Sequence, residues 1–266
     1  MGEHDTWWNL LGYLPGYDNF AANVEYYFSR KPGSMVAWSW GPFGETEFGL
    51  SHVFSAAMVA LFLIYGAFAY KRALARAGKD AIVPPSRFNL RNRFEMFAEA
   101  LLGIAEGVMG KKNAQKYLPF IGSLAFFIFF NNALALIPGF TPPTSTLKTN
   151  LALAVLVFLA THFLGVREHG LAYFKHFLGP IAVLAPLMLL IEIISHVARP
   201  LSLSLRLMGN MAADHKVVSI FFALVPFLVP IPFLILGILV VVIQTLVFTL
   251  LSMVYISMAV AHEEHH

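Results

Sequence analysis

An all-α integral membrane protein is the fold class this sequence predicts, and three observations predict it. Only 12% of the 266 residues are charged and 58% are hydrophobic, whereas about a quarter of an ordinary soluble domain is charged. No charged residue lies between Lys116 and Lys148, nor between Lys216 and Glu263, and a membrane-crossing helix needs about 20 apolar residues. Ten of the 18 Lys and Arg fall within residues 71–116, a bias that sets membrane orientation and so does not read as nucleic-acid binding. The expected architecture is five crossings plus one amphipathic interfacial helix, with the last two helices forming a long, tilted membrane hairpin. The absence of cysteine excludes a disulfide framework and a thiolate metal site.

Residues 1–48 carry six acidic and two basic residues together with Trp7, Trp8, Trp38 and Trp40. They read as an extracytoplasmic segment with interfacial aromatic anchors, and their acidic start does not resemble a cleavable signal peptide. The first span is expected at 49–70. It ends in "KRALARAGK", which places that end in the cytoplasm and the N-terminus outside. An amphipathic helix follows at 90–110, with Glu95, Glu99 and Glu106 on one side and Phe94, Phe97, Leu101, Ile104 and Val108 elsewhere. Arg91 and Glu95 are spaced as an i,i+4 pair. This pattern fits a helix lying on the inner membrane face rather than spanning it, a reading compatible with a surface helix that covers the neighbouring bundle.

The second span is expected at 117–137, ending at the turn "IPGFTPPT", and the third at 148–166. The fourth, 181–224, contains Pro186 and Pro200, which kink a helix without having to end it. At 1.5 Å per residue its roughly 44 residues reach about 66 Å, twice the ~30 Å hydrocarbon layer. The fifth, 233–261, is also overlong at about 43 Å, so a strong tilt is expected. Residues 263–266 then lie in the cytoplasm.

Charge reappears inside the fourth span, in "LLIEIISHVARPLSLSLRLMGNMAADHK". With Glu192 set at 0° and about 100° per residue, Arg199 falls near −20°, His196 near 40°, Arg206 near −40° and Asn210 near 0°. One face therefore carries Glu192, His196, Arg199, Arg206 and Asn210. Ser195 lies beside Glu192, while Asp214 and His215 are further round. A guanidinium cannot shed its proton to escape burial, and Arg at mid-bilayer costs roughly 2.5–3.5 kcal/mol on insertion scales. Arg199 is within reach of Glu192 and can form an internal pair. Arg206 is about 21 Å from Glu192 and about 12 Å from Asp214 along the axis. Its partner is therefore expected to be an anion on another molecule. Gln244 is the one strongly polar side chain in "LGILVVVIQTLVFTLL". It suits either an interhelical hydrogen bond or one to the arginine.

The stretch "SLSLRLMGNMAADH" after "IEIISHVARP", followed by "IQTLVFTLLSMVYISMA" ahead of an acidic-histidine tail, resembles subunit a of F-type ATP synthases over roughly residues 90–262. The resemblance implies a non-catalytic stator beside a rotating ring of c subunits, each with a mid-membrane carboxylate. Two offset half-channels would carry protons to and from that ring. Arg206 matches the family's essential arginine, which drives deprotonation and blocks leak. Glu192, with Ser195, matches the cytoplasmic route, and Asn132 a polar position on the outer route. Asn210 and Gln244 match positions near the arginine, and His215 a site that is often Glu or His. Arg199 and His196 are secondary positions.

The implied partners are the c-ring, the b subunits of the peripheral stalk, the F1 head through them, and the bilayer. No cofactor or metal is implied. The implied location is a bacterial inner membrane, ahead of an organelle inner membrane. Three positions depart from the family pattern: Gly237, where His or Glu is frequent; Ala135, where many relatives carry an acid; and Lys148. Asp214 beside His215 is the expected compensation for Gly237. A stand-alone channel or secondary transporter using Arg206 as a substrate counter-ion is the alternative. An intramembrane metalloenzyme is disfavoured, because "HEEHH" lacks the H-E-x-x-H spacing.

Overall fold

The computed structural model describes residues 51–77, 90–137, 140, 142–170, 173, 185–224 and 230–261. The Trp-containing segment 1–48 and residues 78–89, 225–229 and 262–266 are among those that lie outside the described residues. Among the described residues five helices carry the fold: α1 (Ser51–Ala77), α2 (Leu90–Ala133), α3 (Leu147–His169), α4 (Ala185–Leu224) and α5 (Pro230–Val260). Two 3₁₀ turns, Leu134–Leu136 and Pro143–Ser145, join α2 to α3. No strand occurs among the described residues, and all five helices are long and apolar enough to cross a membrane.

Helix α2 is two helices joined at Gly110, which adopts φ 75° and ψ 157°. That backbone conformation is open to glycine and costly for a side chain. The chain reverses there. A straight helix would hold residues 94 and 126 about 48 Å apart, yet the rings of Phe94 and Phe126 are 5.2 Å apart and those of Phe97 and Phe126 are 4.4 Å apart. The arm before Gly110 thus folds back along the arm after it and packs against α1 and α5. Leu101, Ala105 and Met109 bury against Ala114, Tyr117, Ile121 and Ala125, together with Met253, Ile256 and Val260 of α5. The expected Arg91–Glu95 pair is present at 2.7 Å, and Glu95 also accepts a hydrogen bond from the Tyr70 hydroxyl of α1 at 3.2 Å. Phe94 packs under Gly66 of α1.

A second cluster joins α2, α3, α4 and α5 through Leu124, Ile128, Ala154, Val157, Leu203, Leu207, Met211 and Phe248. Hydrophobic partition cannot drive helices together in lipid, so close packing must do so. The buried face of α5 accordingly intersperses small hydroxylic residues among Val241, Phe248, Met253 and Ile256, and each hydroxyl satisfies itself on the preceding turn. Thr245 bonds the Val241 carbonyl, Thr249 that of Thr245, and Ser252 that of Phe248, at 2.7–2.8 Å. The start of α3 is held similarly: Thr146 Oγ1 donates to the Pro143 carbonyl at 2.8 Å, and Asn150 Nδ2 to that of Thr144 at 2.6 Å. Helix α4 runs unbroken through Pro200.

At the far end of α3, Gly165 gives the chain room to return. A methyl group on Gly165 would lie 2.5 Å from Cε2 of the buried Tyr173 ring. Gly165→Ala is expected to displace Tyr173 and destabilise the fold by about 1–3 kcal/mol, the usual range for overpacking. A thermal melt of the purified protein in detergent checks this, and an unchanged midpoint would count against the contact.

Candidate functional site

The polar residues of α4 separate into three groups along its axis. Near its start, Glu192 and His196 are joined: His196 Nδ1 lies 2.8 Å from the Glu192 carbonyl and 3.2 Å from its Oε1. Glu192 is 38% exposed along its side chain, whereas His196 is buried. Ser195 is half-buried beside them. Arg199 does not pair with Glu192 as the spacing allowed. Its guanidinium lies over the ring of Tyr255 on α5, 5.6 Å from the centroid, a cation–π contact. The Glu192 carboxylate is within one turn of His196, and that shorter reach is the one realised.

In the middle of the helix, Arg206 and Asn210 are exposed, as are Ser202, Leu205 and Gly209 around them. Leu203, Leu207 and Met211 are buried on the adjoining face. The single polar face foreseen from the sequence is therefore a seam. His196 turns into the bundle, while Arg206 and Asn210 look out of it. Among the described residues, Arg206 makes no hydrogen bond or ion pair, and none joins it to Gln244 of α5, which is half-buried.

Beyond Arg206, Asp214 and His215 are half-buried. Gly237 is the reason Asp214 fits: a methyl there would be 3.1 Å from Asp214 Oδ2 and 3.2 Å from Leu136 Cδ2. The carboxylate of α4 occupies the space that a side chain at 237 would take. His215 bonds the backbone of Phe140 in the turn after α2. Asn132 is fully buried, its Nδ2 3.5 Å from Thr245 Oγ1. Among the described residues no partner meets the buried side-chain oxygens of Asn131, Asn132, Thr144 and Asn150. Ala135 is buried in the 3₁₀ turn. Among the described residues no group of three or more His, Cys, Asp or Glu is placed to hold a metal ion.

A family model described as ATP synthase A chain matches residues 52–257. The chain belongs to the ATP synthase A chain family. It is 48% identical over 206 residues to ATP synthase subunit a of Bdellovibrio bacteriovorus, covering 77% of this chain and 90% of that one. It is 52% identical over 217 residues to ATP synthase subunit a 1 of Syntrophotalea carbinolica, covering 82% and 88%. The ATP synthase subunit a of Geotalea daltonii is 42% identical over 216 residues, covering 81% and 90%.

Against this family background, the structure adds residues that sequence reasoning passed over. His162, Tyr173 and Tyr255 surround His196 and Arg199, and Thr245 reaches Asn132. His162 carried a usable signal, being an ionisable residue inside an apolar span. Thr245 carried none, because intrahelical threonines are common in such helices.

Two consequences are measurable. Burial raises the Tyr173 phenol above its ordinary value, opposed by the nearby Arg199. The unfolded chain therefore ionises first as pH rises past about 10, and the folded state loses stability there. Tyr173→Phe is expected to remove part of this alkaline loss, read from melting midpoints on either side of that pH. Gly237→Leu should displace Asp214, and combining it with Asp214→Gly should recover part of the lost stability. Equal midpoints for the single and double variants would count against the complementarity.

Proposed function

We propose that the chain is the proton-translocating, non-catalytic subunit a of an ATP synthase Fo sector, standing beside a ring of carboxylate-bearing c subunits. One observation carries this reading above the others: an exposed guanidinium, Arg206, midway along a span-long helix, with polar clusters before and after it on the same helix. Membership of the family and relatives named ATP synthase subunit a support it.

In this reading the basic end of the bundle is cytoplasmic, with the N-terminus outside and the C-terminus inside a bacterial inner membrane. Glu192 and Ser195 serve the cytoplasmic half-channel, with His196 and Arg199 behind them. Asn132, Asp214 and His215 serve the outer one, Asp214 taking over the place left by Gly237. The four buried oxygens without donors among the described residues, that of Asn132 included, are acceptors of the kind that internal water satisfies. Asn210 and Gln244 flank the arginine.

The charge of Arg206 does the coupling. A guanidinium about 4 Å from a ring carboxylate, at an effective dielectric near 20, favours the ionised acid by roughly 4 kcal/mol. A desolvated carboxylate otherwise keeps its proton. Each arriving acid is thus driven to release into one half-channel, and the fixed charge repels protons from crossing directly. The membrane potential supplies about 2.3 kcal/mol per charge per 100 mV. The b subunits and the F1 head complete the assembly that turns this into ATP synthesis.

A stand-alone channel or transporter with Arg206 as counter-ion is the second reading. Co-purification with c, b and the catalytic head separates the two. The functional test is ATP-driven proton pumping in inverted vesicles. Arg206→Ala and Arg206→Lys are each expected to abolish coupled pumping, and normal rates in both would overturn the mechanism. Glu192→Gln and His215→Ala are expected to slow pumping several-fold without abolishing it; either one at the wild-type rate leaves the route.

A further inference from the structure

His162 of α3 has no part in the route described so far. Its ring lies 4.2 Å from that of Phe158, one turn back, and 6.0 Å edge-on from that of Tyr173. The neighbouring Thr161 hydroxyl bonds the Val157 carbonyl at 2.8 Å. Across the helix interface, the His162 and His196 rings are 5.0 Å apart at 80°. The two imidazoles come from different helices and meet inside the bundle. Together with Ala154, Arg199, Leu203 and Tyr255 they line a cleft of about 20 Å³. A single water needs roughly 10–15 Å³ of such space.

The His196 ring is oriented by its partners. Its Nδ1 faces two acceptors, the Glu192 carbonyl at 2.8 Å and Oε1 at 3.2 Å. The neutral ring therefore carries its proton on Nδ1 and leaves Nε2 as an acceptor. Among the described residues, the titratable or charged groups placed against the pair include Glu192 and Arg199 of α4, Tyr255 of α5 and Tyr173 after α3. Glu192 is the one carboxylate among them. Two imidazolium rings this close, beside a guanidinium, repel each other, so the pair holds one proton at a time.

We propose that His162 is a further proton-carrying residue of this chain, forming with His196 a one-proton relay between Glu192 at the protein surface and the water-sized cleft beside the two rings. A proton taken up on Nε2 makes His196 an imidazolium. Its Nδ1 proton then passes to the Glu192 carboxylate, leaving a neutral ring protonated on Nε2 and a carboxylic acid. The acid releases its proton to water, and the ring resets by tautomerisation, its Nε2 proton passing through water to Nδ1, which leaves one proton transferred to the Glu192 side and the ring neutral throughout the reset. His162 takes up and returns protons on the cleft side in the same way. The inference rests on the proton-carrying function proposed above and names a residue for the Glu192 half of the route.

The test uses the whole ATP synthase in inverted vesicles, with ATP-driven pumping followed from about pH 5 to 8, the range across which an imidazole titrates. His162→Phe keeps a ring between Phe158 and Tyr173, His162→Asn keeps polarity, and His162→Ala opens space. Assembly is checked by co-purification of the c-ring. In variants that assemble, pumping is expected to fall about three- to tenfold, with loss of the neutral-range limb of the pH profile. Added imidazole is expected to restore part of the rate in His162→Ala. Wild-type rates and profile in His162→Phe or His162→Asn would overturn the relay. So would a slower rate with an unchanged profile and no rescue, which marks a packing role, or failure of all three variants to assemble. Arg206→Ala is measured alongside. If it pumps normally, the underlying function falls. If it fails to pump while the His162 variants behave as wild type, only the relay falls.

Discussion

A guanidinium that cannot give up its proton, held on the outward face of an apolar bundle, is the constraint around which this molecule is arranged. Arg206 stands at the edge between the buried side of α4 and its exposed side. Leu203 and Leu207, on the adjoining face, pack into the bundle and fix the rotation of the helix. That rotation carries the charge out of the protein interior toward whatever lies alongside. An inward turn of some tens of degrees would bury an unpaired cation among Phe, Leu and Met side chains, at a cost no contact there could offset.

The rest of the bundle supplies rigidity by means suited to lipid. Where water cannot drive association, backbones must approach closely and polar groups must close on themselves. The Thr245, Thr249 and Ser252 hydroxyls do so along α5, and Asn150, Ser145 and Thr146 do so at the turn before α3. Glycines mark the tightest places. Gly110 lets α2 reverse, Gly165 admits the Tyr173 ring, and Gly237 admits the Asp214 carboxylate. Polar chemistry gathers at two levels on either side of the arginine: a Glu–His–Arg group with its tyrosines, and an Asp–His group against the turn after α2.

Much of the fold was legible beforehand because span length and charge placement are one-dimensional properties. The stretches expected at 117–137, 148–166, 181–224 and 233–261 correspond to the later part of α2, to α3, α4 and α5, within a few residues at most ends. The helix at 90–110 was foreseen, but its fold-back along the following span was not, because periodicity is blind to a reversal made by one glycine at positive φ. Arg206 could be singled out because the separation of residues along a helix follows from their numbers alone. The partner of Arg199 could not, since reach permitted Glu192 but neighbouring helices offered Tyr255.

By itself, then, the sequence determined the class, the order of the long apolar stretches, the family, and the identity of the charge with no acid within reach on its own helix. These depend on composition and on spacing along a single helix. Only the tertiary structure decided that His196 turns inward while Arg206 faces out, that Asp214 fills the space over Gly237, and that His162 meets His196. Such pairings join residues tens of positions apart on different helices. They are fixed by helix rotation and close packing, which no pattern within one helix encodes.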